Sequence, residues 1–456
     1  MLNPSIAYDV LSDACTAGAD FAELFVEESL RSRVELVSSG VDAVFSGIDF
    51  GIGVRLFIGQ NVLYGHTNRT DRDALLGLVR TLISSGPSGG APPPLTEMHM
   101  PERHPVQRPL STGQALQEKV AYLKQVDTRA RGISDKVSQV VAKVTQAERR
   151  FEIFNSEGLH TGDNRNYTRI VLSVVAQDGA EQTSAYEAPG ALMGWEFHER
   201  VDPDALGAEV AQAAVRKLGA ADCPSGELPV VIGPGFGGVI FHEACGHLLE
   251  TTSVQKKASV FHDCMHEMIA NPVVNAVDDG CLDHEWGSLN IDDEGMATQR
   301  TQLIKDGRLM SFLVDRMGAI KTGYARTGSG RRQDYRFSPA SRMRNTFIEA
   351  GQDTLDEMIA SIDFGIYAKK MGGGSVMPGT GEFNFAVREP YLIVNGKVTH
   401  ALKSATLIST GPRVLKEISM VGQDFSLAAG MCGSISGSIP TTVGQPSLKV
   451  DRILVG

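Results

Sequence analysis

Residues 242–247 read His-Glu-Ala-Cys-Gly-His and place two imidazoles and a carboxylate within six positions. Neutral imidazole is a common zinc ligand, and a neighbouring glutamate can take a proton from water that the metal activates. This stretch therefore predicts a metal-dependent hydrolase in which His242 and His247 bind the metal and Glu243 is the base.

The spacing of the two histidines differs from the common zinc-peptidase motif, in which they lie four residues apart on one helix. His242 and His247 are five residues apart, so a regular α-helix would rotate the second ring away from the first. A wider turn of the π type would realign them, and Gly246 would ease the distortion. We therefore expect an irregular helix between Glu243 and His247.

Catalytic zinc requires a third protein ligand and keeps one position open for water. The residue pattern offers several candidates and does not choose among them. They are Glu250, which could instead orient His247 through its free ring nitrogen; Cys245; the pair His262 and His266; the run Asp292, Asp293 and Glu294, which also fits a solvated loop; and Cys432 in a turn of small residues.

The composition describes a soluble globular protein of two or three domains, with 456 residues, 42% hydrophobic and 21% charged. A net charge of −11, with no basic block against it, argues against nucleic acid as the main partner. No apolar run could cross a bilayer and residues 1–10 lack a secretory pattern, so we expect a cytoplasmic protein without a membrane partner. The six scattered cysteines are then expected to be free thiols or ligands.

The chain before the histidines divides into two mixed units. In the first unit, the pattern predicts helices over 5–17 and 71–84, and short strands over 21–27, 32–37, 51–58 and 62–65. In the second unit, it predicts helices over 116–131 and 203–218, and strands over 135–154 and 166–177 with a turn near Gly158. The Pro- and Gly-rich segment 86–107 separates the two units, and 219–226 forms a linker to the third.

The third unit is β-rich. A strand over 228–232 and a glycine turn lead into the helix that carries the two histidines. Asp306-Gly307 and Asn395-Gly396 each separate two alternating segments, which predicts hairpins, and a helix over 354–369 should interrupt the strands and end at Gly372-Gly373-Gly374. We therefore predict an α+β fold, with an N-terminal α+β domain (1–90), a central α+β domain (108–220) and a β-rich catalytic domain (226–456).

The order of motifs in the last unit resembles the TldD/PmbA family of peptidases, on its TldD side. The matching stretches are 242–250, 277–280, 291–295, 328–332, 365–368, 372–374, 430–433 and 443–446. The N-terminal units are compatible with the family but carry no comparable signature.

The resemblance implies a zinc metallopeptidase in which His242, His247 and the thiolate of Cys432 hold Zn²⁺ and Glu243 is the base. It also implies small unfolded peptides as substrates, and a homodimer or a heterodimer with a PmbA/TldE-like subunit. That branch lacks the metal motif, so this chain would be the catalytic, TldD-type subunit. Cys245 departs from the family, where an aliphatic residue is frequent, and we expect it to pack in the core.

Broad substrate tolerance could arise from strand addition, in which backbone hydrogen bonds hold an extended peptide against a sheet edge. Two alternatives stay open: a non-enzymatic regulatory protein that binds peptides or a partner, and a hydrolase of another amide such as a cyclic peptide. The intact Glu243 favours an enzyme, because an adaptor needs no base beside two ligands. The sequence does not identify the oxyanion donor, for which the candidates are Arg331, Arg332 and His266.

Overall fold

The computed structural model describes residues 2–83, 92–113, 116–377 and 380–456. Over these ranges the chain is α+β and rich in strands, as the sequence predicts. The four predicted helices of the first half are confirmed as α1 (Pro4–Thr16), α2 (Arg72–Leu82), α3 (Leu116–Arg131) and α4 (Pro203–Arg216). Local signals explain such boundaries: Asp202 accepts the amide of Asp204 at 2.9 Å and Pro203 occupies the first turn of α4.

One mostly antiparallel sheet joins the N-terminal and central parts of the described chain. Its strands are β1 (Phe21–Val37), β2 (Gly40–Ile58), β3 (Asn61–Thr67), β4 (Thr96–Glu97), β5 (Val137–Asn155), β6 (Leu159–Asp178), β7 (Glu181–Glu187) and β8 (Gly190–Ala191). They follow the order β3-β2-β1-β5-β6-β4, with β7 and β8 also on β6. The predicted strands over 21–27 and 32–37 are one strand, because β2 and β5 pair with β1 along nearly all of its length.

The two faces of this sheet pack against different parts of the molecule. On one face, Leu24 belongs to the core under α1 and α2, and Val144 belongs to the core under α3 and α4. On the other face, Phe25 and Phe151 pack against Ile291 from the C-terminal domain. The sheet therefore separates the helices from the domain that carries the histidine motif.

The C-terminal domain consists of short helices and many strands. The strands are β9 (Gly226–Ile232), β10 (Ala276–Asp279), β11 (Arg300–Lys305), β12 (Arg308–Leu309), β13 (Gly330–Arg331), β14 (Ala340–Ser341), β15 (Asn345–Ile348), β16 (Phe364–Met377), β17 (Glu382–Val394), β18 (Lys397–Ala401), β19 (Ala405–Thr410), β20 (Ile418–Val421), β21 (Ser426–Ser434), β22 (Gly437–Gln445) and β23 (Leu448–Val455). The α-helices are α5 (Val239–Ala244), α6 (Thr251–Val254), α7 (Arg316–Thr322), α8 (Leu355–Ala360) and α9 (Gly411–Glu417). Short 3₁₀ segments cover Leu110–Thr112, Trp195–Arg200, Gly235–Gly238 and Gly246–Leu249.

Two sheets frame the histidine motif. One has the order β12-β11-β10-β15-β22-β21. The other closes on itself, because β16 pairs with β9 and β17, β17 with β19, β19 with β23, and β23 with β9. Helix α5 contacts β16 and β17 of the closed sheet and β15 and β22 of the open one. The motif is therefore held on both sides.

The predicted helix over 354–369 is wrong in its second half. Helix α8 begins at a capping box formed by Thr354 and Glu357 and stops after Ala360. Residues from Phe364 onward form β16, which lies parallel to β9 and carries the three glycines that we expected to end the helix. Pairing with β9 and β17 outweighs local helix preference here.

The two predicted hairpins are confirmed. Asp306 and Gly307 have φ of 47° and 77°, and Asn395 and Gly396 have φ of 49° and 70°, as a type I′ turn requires. The strand after Gly307 is short, since β12 has only two residues. The turn at Gly158, with φ of 89°, joins β5 to β6.

Of the expected separating segment 86–107, residues 86–91 lie outside the described residues, and the rest has β4 as its regular element. Within the described ranges, no helix combines the length and apolarity that a membrane crossing demands.

Candidate metal centre

The predicted irregularity between Glu243 and His247 is confirmed, but its form differs from a widened turn. Helix α5 ends at Ala244, Cys245 has φ of −131° and ψ of −52°, and a 3₁₀ turn follows from Gly246. A Cβ at Gly246 would lie 2.1 Å from the Met343 sulfur, so a larger residue at this position would have to displace the Met343 side chain. The break, rather than a π-bulge, reorients the second histidine.

The structure brings His242, His247 and Cys432 together as a candidate ligand set, which we refer to as the metal site. The Cys432 Sγ lies 3.2 Å from His242 Nε2 and 3.2 Å from His247 Nε2, although 185 residues separate Cys432 from His247. The three possible ligand atoms all lie within 4.8 Å of one another. Two imidazole nitrogens and one sulfur at this separation fit a single zinc ion.

Cys432 lies in a strand and not in the turn that we predicted. It belongs to β21, where it pairs with Ile439 of β22, and its side chain is 5% exposed. Gly430 and Gly433 flank it within the strand. Because a strand directs alternate side chains to opposite faces, β21 sets the direction of the sulfur.

The charges of the metal site favour a thiolate. Burial alone would raise the pKa of Cys432, but His242 and His247 favour the ionised sulfur and hold its pKa at about 3. Burial also disfavours a charged His247, yet the Glu250 carboxylate and the Cys432 thiolate raise the pKa of that ring well above 6.5. The thiolate is the form of cysteine that binds metals, so this charge state fits the role of a ligand.

Two glutamates flank His247 on opposite sides of its ring. The Glu250 carboxylate lies 3.0 Å from Nδ1, where it can accept the ring N–H, and this contact fits a residue that orients His247. The Glu243 Oε2 lies 3.7 Å from Nε2, on the side of the ring that faces the metal site, and its side chain is 21% exposed. Glu243 can therefore meet a water molecule or a substrate beside the metal site.

Sequence models of one family's three domains match most of the chain. The PmbA/TldA metallopeptidase domain 1 matches residues 22–86, the central domain 111–218 and the C-terminal domain 225–456. The chain belongs to the TldD/PmbA family of metallopeptidases. The family predicted from the motifs is thus confirmed, whereas our domain boundaries stay a prediction.

Curated TldD relatives cover nearly the full chain. A metalloprotease TldD homologue from Haemophilus influenzae is 34% identical over 98% of this chain and 95% of its own. One from Buchnera aphidicola of Acyrthosiphon pisum is 30% identical over 100% and 96%. A zinc metalloprotease TldD homologue from Saccharolobus solfataricus is 24% identical over 96% and 97%. These names agree with the predicted metallopeptidase class.

Solved structures share the fold at low sequence identity. A Thermotoga maritima protein, described as a candidate modulator of a DNA gyrase, aligns with a TM-score of 0.79 and 19% identity over 96% of each chain. TldE from Thermococcus kodakarensis aligns with a TM-score of 0.77 and 17% identity over 99% of this chain and 100% of its own. These matches show the TldD/PmbA fold and no more.

Other candidate ligands lie apart from the metal site of this TldD/PmbA chain. Cys245 is fully buried in the main core, and burial raises the pKa of its thiol, as a packing role requires. The ring of His262 bonds to the carbonyl of Ser259 at 2.9 Å, and neither it nor His266 belongs to the group of converging ligand atoms found among the described residues. A cysteine or histidine can therefore serve as a ligand only where the backbone brings its side chain to the other ligands.

The acidic run 292–294 is not a solvated loop. Asp292, Asp293 and Glu294 are all buried, and the last two pair at 2.7 Å and 2.6 Å with Arg165 and Arg55 of the large sheet. Burial and the neighbouring Glu294 raise the pKa of Asp292 to about 6. The run joins two parts of the molecule and does not bind the metal.

A second cluster of His104, Asp283 and His284 meets the same distance criterion among the described residues. The Nδ1 of His104 accepts the His284 amide at 3.2 Å, so a neutral ring carries its proton on Nε2. That tautomer leaves no lone pair for a metal ion. We therefore assign no metal to this cluster.

Proposed function

We propose that this chain is a zinc-dependent peptidase in which His242, His247 and Cys432 hold the metal and Glu243 is the general base. The convergence of three ligand atoms within 4.8 Å carries this proposal. A soft thiolate with two imidazoles suits zinc better than it suits magnesium or calcium, which prefer oxygen ligands. The name of the Saccharolobus solfataricus relative supports the same metal.

Zinc bound by these residues would act as a Lewis acid toward water and toward a peptide carbonyl. Glu243 then takes the proton of the attacking water and passes it to the leaving amine. Glu250 keeps His247 in the tautomer whose Nε2 can face the metal, because its carboxylate accepts the Nδ1 proton. Arg332, one of the candidate oxyanion donors, is already bound to Glu23 and to the Asp293 carbonyl.

The test of the proposed base is Glu243→Gln in the full chain. Glutamine preserves size but cannot take a proton, so we expect retained zinc and a loss of turnover of about 10²–10⁴-fold. Glu267→Gln changes an exposed glutamate of the same domain and serves as the control. Unchanged cleavage by Glu243→Gln would remove Glu243 from the mechanism, and a parent protein without stoichiometric zinc would remove the proposed metal site.

The proposed substrates are small unfolded peptides held in extended form. A cleft of about 980 Å³ runs along residues 426–431 of β21, which precede Cys432 in the sequence, although the proposed ligands and Glu243 are not among its lining residues. Its lining residues carry both signs of charge, and the Lys370 ammonium pairs with the carboxylates of Glu187 and Glu209. Mixed charge gives no strong preference for one kind of side chain, which fits recognition of the peptide backbone.

Strand addition can be tested with peptides that differ only in backbone N-methylation near the cleaved bond. Removing the amide hydrogens should raise KM, because β-type pairing needs them. The same methyl group placed far from the bond is the control. Equal KM for all peptides would show that the backbone is not the recognised feature.

We further propose that the enzyme acts as a homodimer or as a heterodimer with a PmbA/TldE-like subunit, in the cytoplasm. The likeness to a TldE structure supports the pairing, and six free thiols support a reducing compartment. Light scattering of the chain alone and mixed with a TldE-like protein distinguishes the two assemblies. If the role is regulatory and not enzymatic, the Glu243→Gln variant should restore the phenotype of a deletion strain. If the chain is a peptidase, this variant should fail to restore it.

A further inference from the structure

Arg342 lies at the meeting point of the two chain segments that form the metal site. Its side chain is fully buried. One terminal nitrogen donates to the Cys432 carbonyl, and the other donates to Ser436 Oγ at 2.9 Å and to the Gly437 carbonyl at 2.9 Å. The guanidinium therefore bonds the turn between β21 and β22 as well as the ligand-bearing residue itself.

The third nitrogen of Arg342 points toward the other segment. Its Nε lies 3.9 Å from Glu250 Oε1, and neither atom has a hydrogen-bond partner among the described residues. The second oxygen of the same carboxylate accepts the His247 Nδ1 proton at 3.0 Å. One guanidinium thus reaches Cys432 directly and His247 through Glu250.

The two histidines differ in this support. His247 has Glu250 behind it, whereas His242 Nδ1 is buried without a partner within the described part of the chain. The carboxylate behind His247 is itself 3% exposed, so a cation beside it offsets the cost of its burial. The orientation of the second ligand therefore depends on the pair that Glu250 makes with Arg342.

We propose that Arg342 is a positioning residue of the metal site, which sets the Cys432 segment and the Glu250–His247 pair relative to each other. This inference rests on the proposed zinc site. Lysine could not substitute, because one ammonium group lacks the planar fork that reaches three acceptors and a carboxylate at once. The residue needs no contact with substrate to act in this way.

The experiment measures metal binding by the full chain rather than activity alone. Arg342→Met and Arg342→Lys are compared with Arg344→Lys, a matched change at a fully buried arginine that bonds Asp278 and not the metal site. We expect the two Arg342 variants to bind zinc about 10–100-fold more weakly in competition with a chelator, as other outer-shell changes do. Arg344→Lys should keep the parental affinity even if it unfolds at a lower temperature.

Two further measurements separate positioning from general stability. Cobalt-loaded Arg342 variants should show an altered thiolate-to-cobalt absorption band, and zinc should raise their unfolding temperature less than it raises that of the parent. Glu250→Gln should weaken zinc binding to a similar extent. Arg342→Met should then reduce the zinc affinity of the Glu250→Gln variant by less than it reduces that of the parent. If Arg342→Met does not fold, Arg342→Lys and Glu250→Gln carry the test.

The outcomes distinguish this inference from the proposed function. Parental zinc affinity and an unchanged cobalt band in folded Arg342 variants would overturn the positioning role and leave the zinc site intact. Equal losses in Arg342→Lys and Arg344→Lys would also overturn it, because they would show a general effect of buried arginines. A parent protein that binds neither zinc nor cobalt would overturn the proposed function itself.

Discussion

Cys432 is the proposed ligand that depends most on its surroundings, because a cysteine must be ionised to bind zinc. Two imidazoles at 3.2 Å hold its pKa at about 3 despite its burial. We expect Cys432→Ser to lose most of its zinc affinity, since a hydroxyl stays protonated where the thiol does not. Metal analysis and the cobalt–thiolate band measure the loss.

Cys245 provides the matched control for that change. It is also buried and lies in the same motif, but it packs in the main core. Cys245→Ala should keep zinc and the cobalt–thiolate band. If Cys432→Ser retains zinc and Cys245→Ala loses it, the sulfur ligand was misassigned.

The buried carboxyl group of Asp315 should make the stability of the protein depend on pH. Burial and Glu294 raise its pKa from 3.8 to about 6, so the folded state retains a proton that the unfolded state has lost between these values. The stability that this group contributes is complete below pH 3.8 and lost as pH rises to about 6. Asparagine can still accept from Thr251 and the Gly318 amide, the partners of Asp315.

Asp315→Asn should therefore stabilise the protein above pH 6 by roughly 1–3 kcal/mol and show little advantage near pH 4. Unfolding temperatures of the parent and the variant across pH 4–8 measure the difference. A constant difference at every pH would assign the effect to hydrogen bonding and not to ionisation.

At the scale of elements, the site depends on the end of α5 and on the helix that packs against it. A Cβ at Gly411, the first residue of α9, would lie 1.9 Å from the Ala244 carbonyl oxygen. That oxygen is backbone and cannot rotate away. Gly411→Ala should therefore displace α5, lower the unfolding temperature and weaken zinc binding.

Gly373 in β16 is the control for that change, because an added Cβ there meets nothing within 4 Å. Gly373→Ala should keep both the unfolding temperature and the zinc affinity. Normal zinc binding by Gly411→Ala would mean that the contact between α9 and α5 is not what sets the histidine geometry.

Helices and turns could be predicted where local sequence signals are strong. The prediction was wrong where pairing between distant strands determines the structure. Proline and aspartate mark the start of α4, and Asp306-Gly307 marks its hairpin, because caps and type I′ turns need those residue types. The segment over 364–369 looked helical but is a strand, because β9 and β17 lie on either side of it. Such long-range partners are not visible in a local pattern.

At the scale of the molecule, buried ion pairs connect the large sheet to the C-terminal domain. Arg55 lies between Glu23 and Glu294, at 2.7 Å and 2.6 Å, and Arg332 also pairs with Glu23. Leaving a buried charge without its partner costs far more free energy than losing an ion pair at the surface. The acidic run 292–294, which from sequence fitted either a ligand or a solvated loop, thus holds the two parts of the molecule together.

Glu294→Gln should lower stability by about 3–5 kcal/mol, because it leaves Arg55 partly uncompensated inside the protein. Thermal unfolding and limited proteolysis at the contact between the sheet and the C-terminal domain measure the effect. Asp178→Asn breaks an exposed pair with Lys136 and should cost about 0–1 kcal/mol. Equal effects of the two changes would show that the buried pair is dispensable.

The sequence by itself determined the chemistry of the motif, the family and most helices and turns, because these depend on residue types at short spacing. It also indicated that His242 and His247 could not share a regular helix. Only the tertiary structure decided that the helix breaks at Cys245, that β21 brings Cys432 to 3.2 Å from both rings, and that Arg342 bonds the Cys432 segment. The reason is physical: residues 185 positions apart meet only when two sheets pack around α5, and packing sums contacts that no short window of sequence contains.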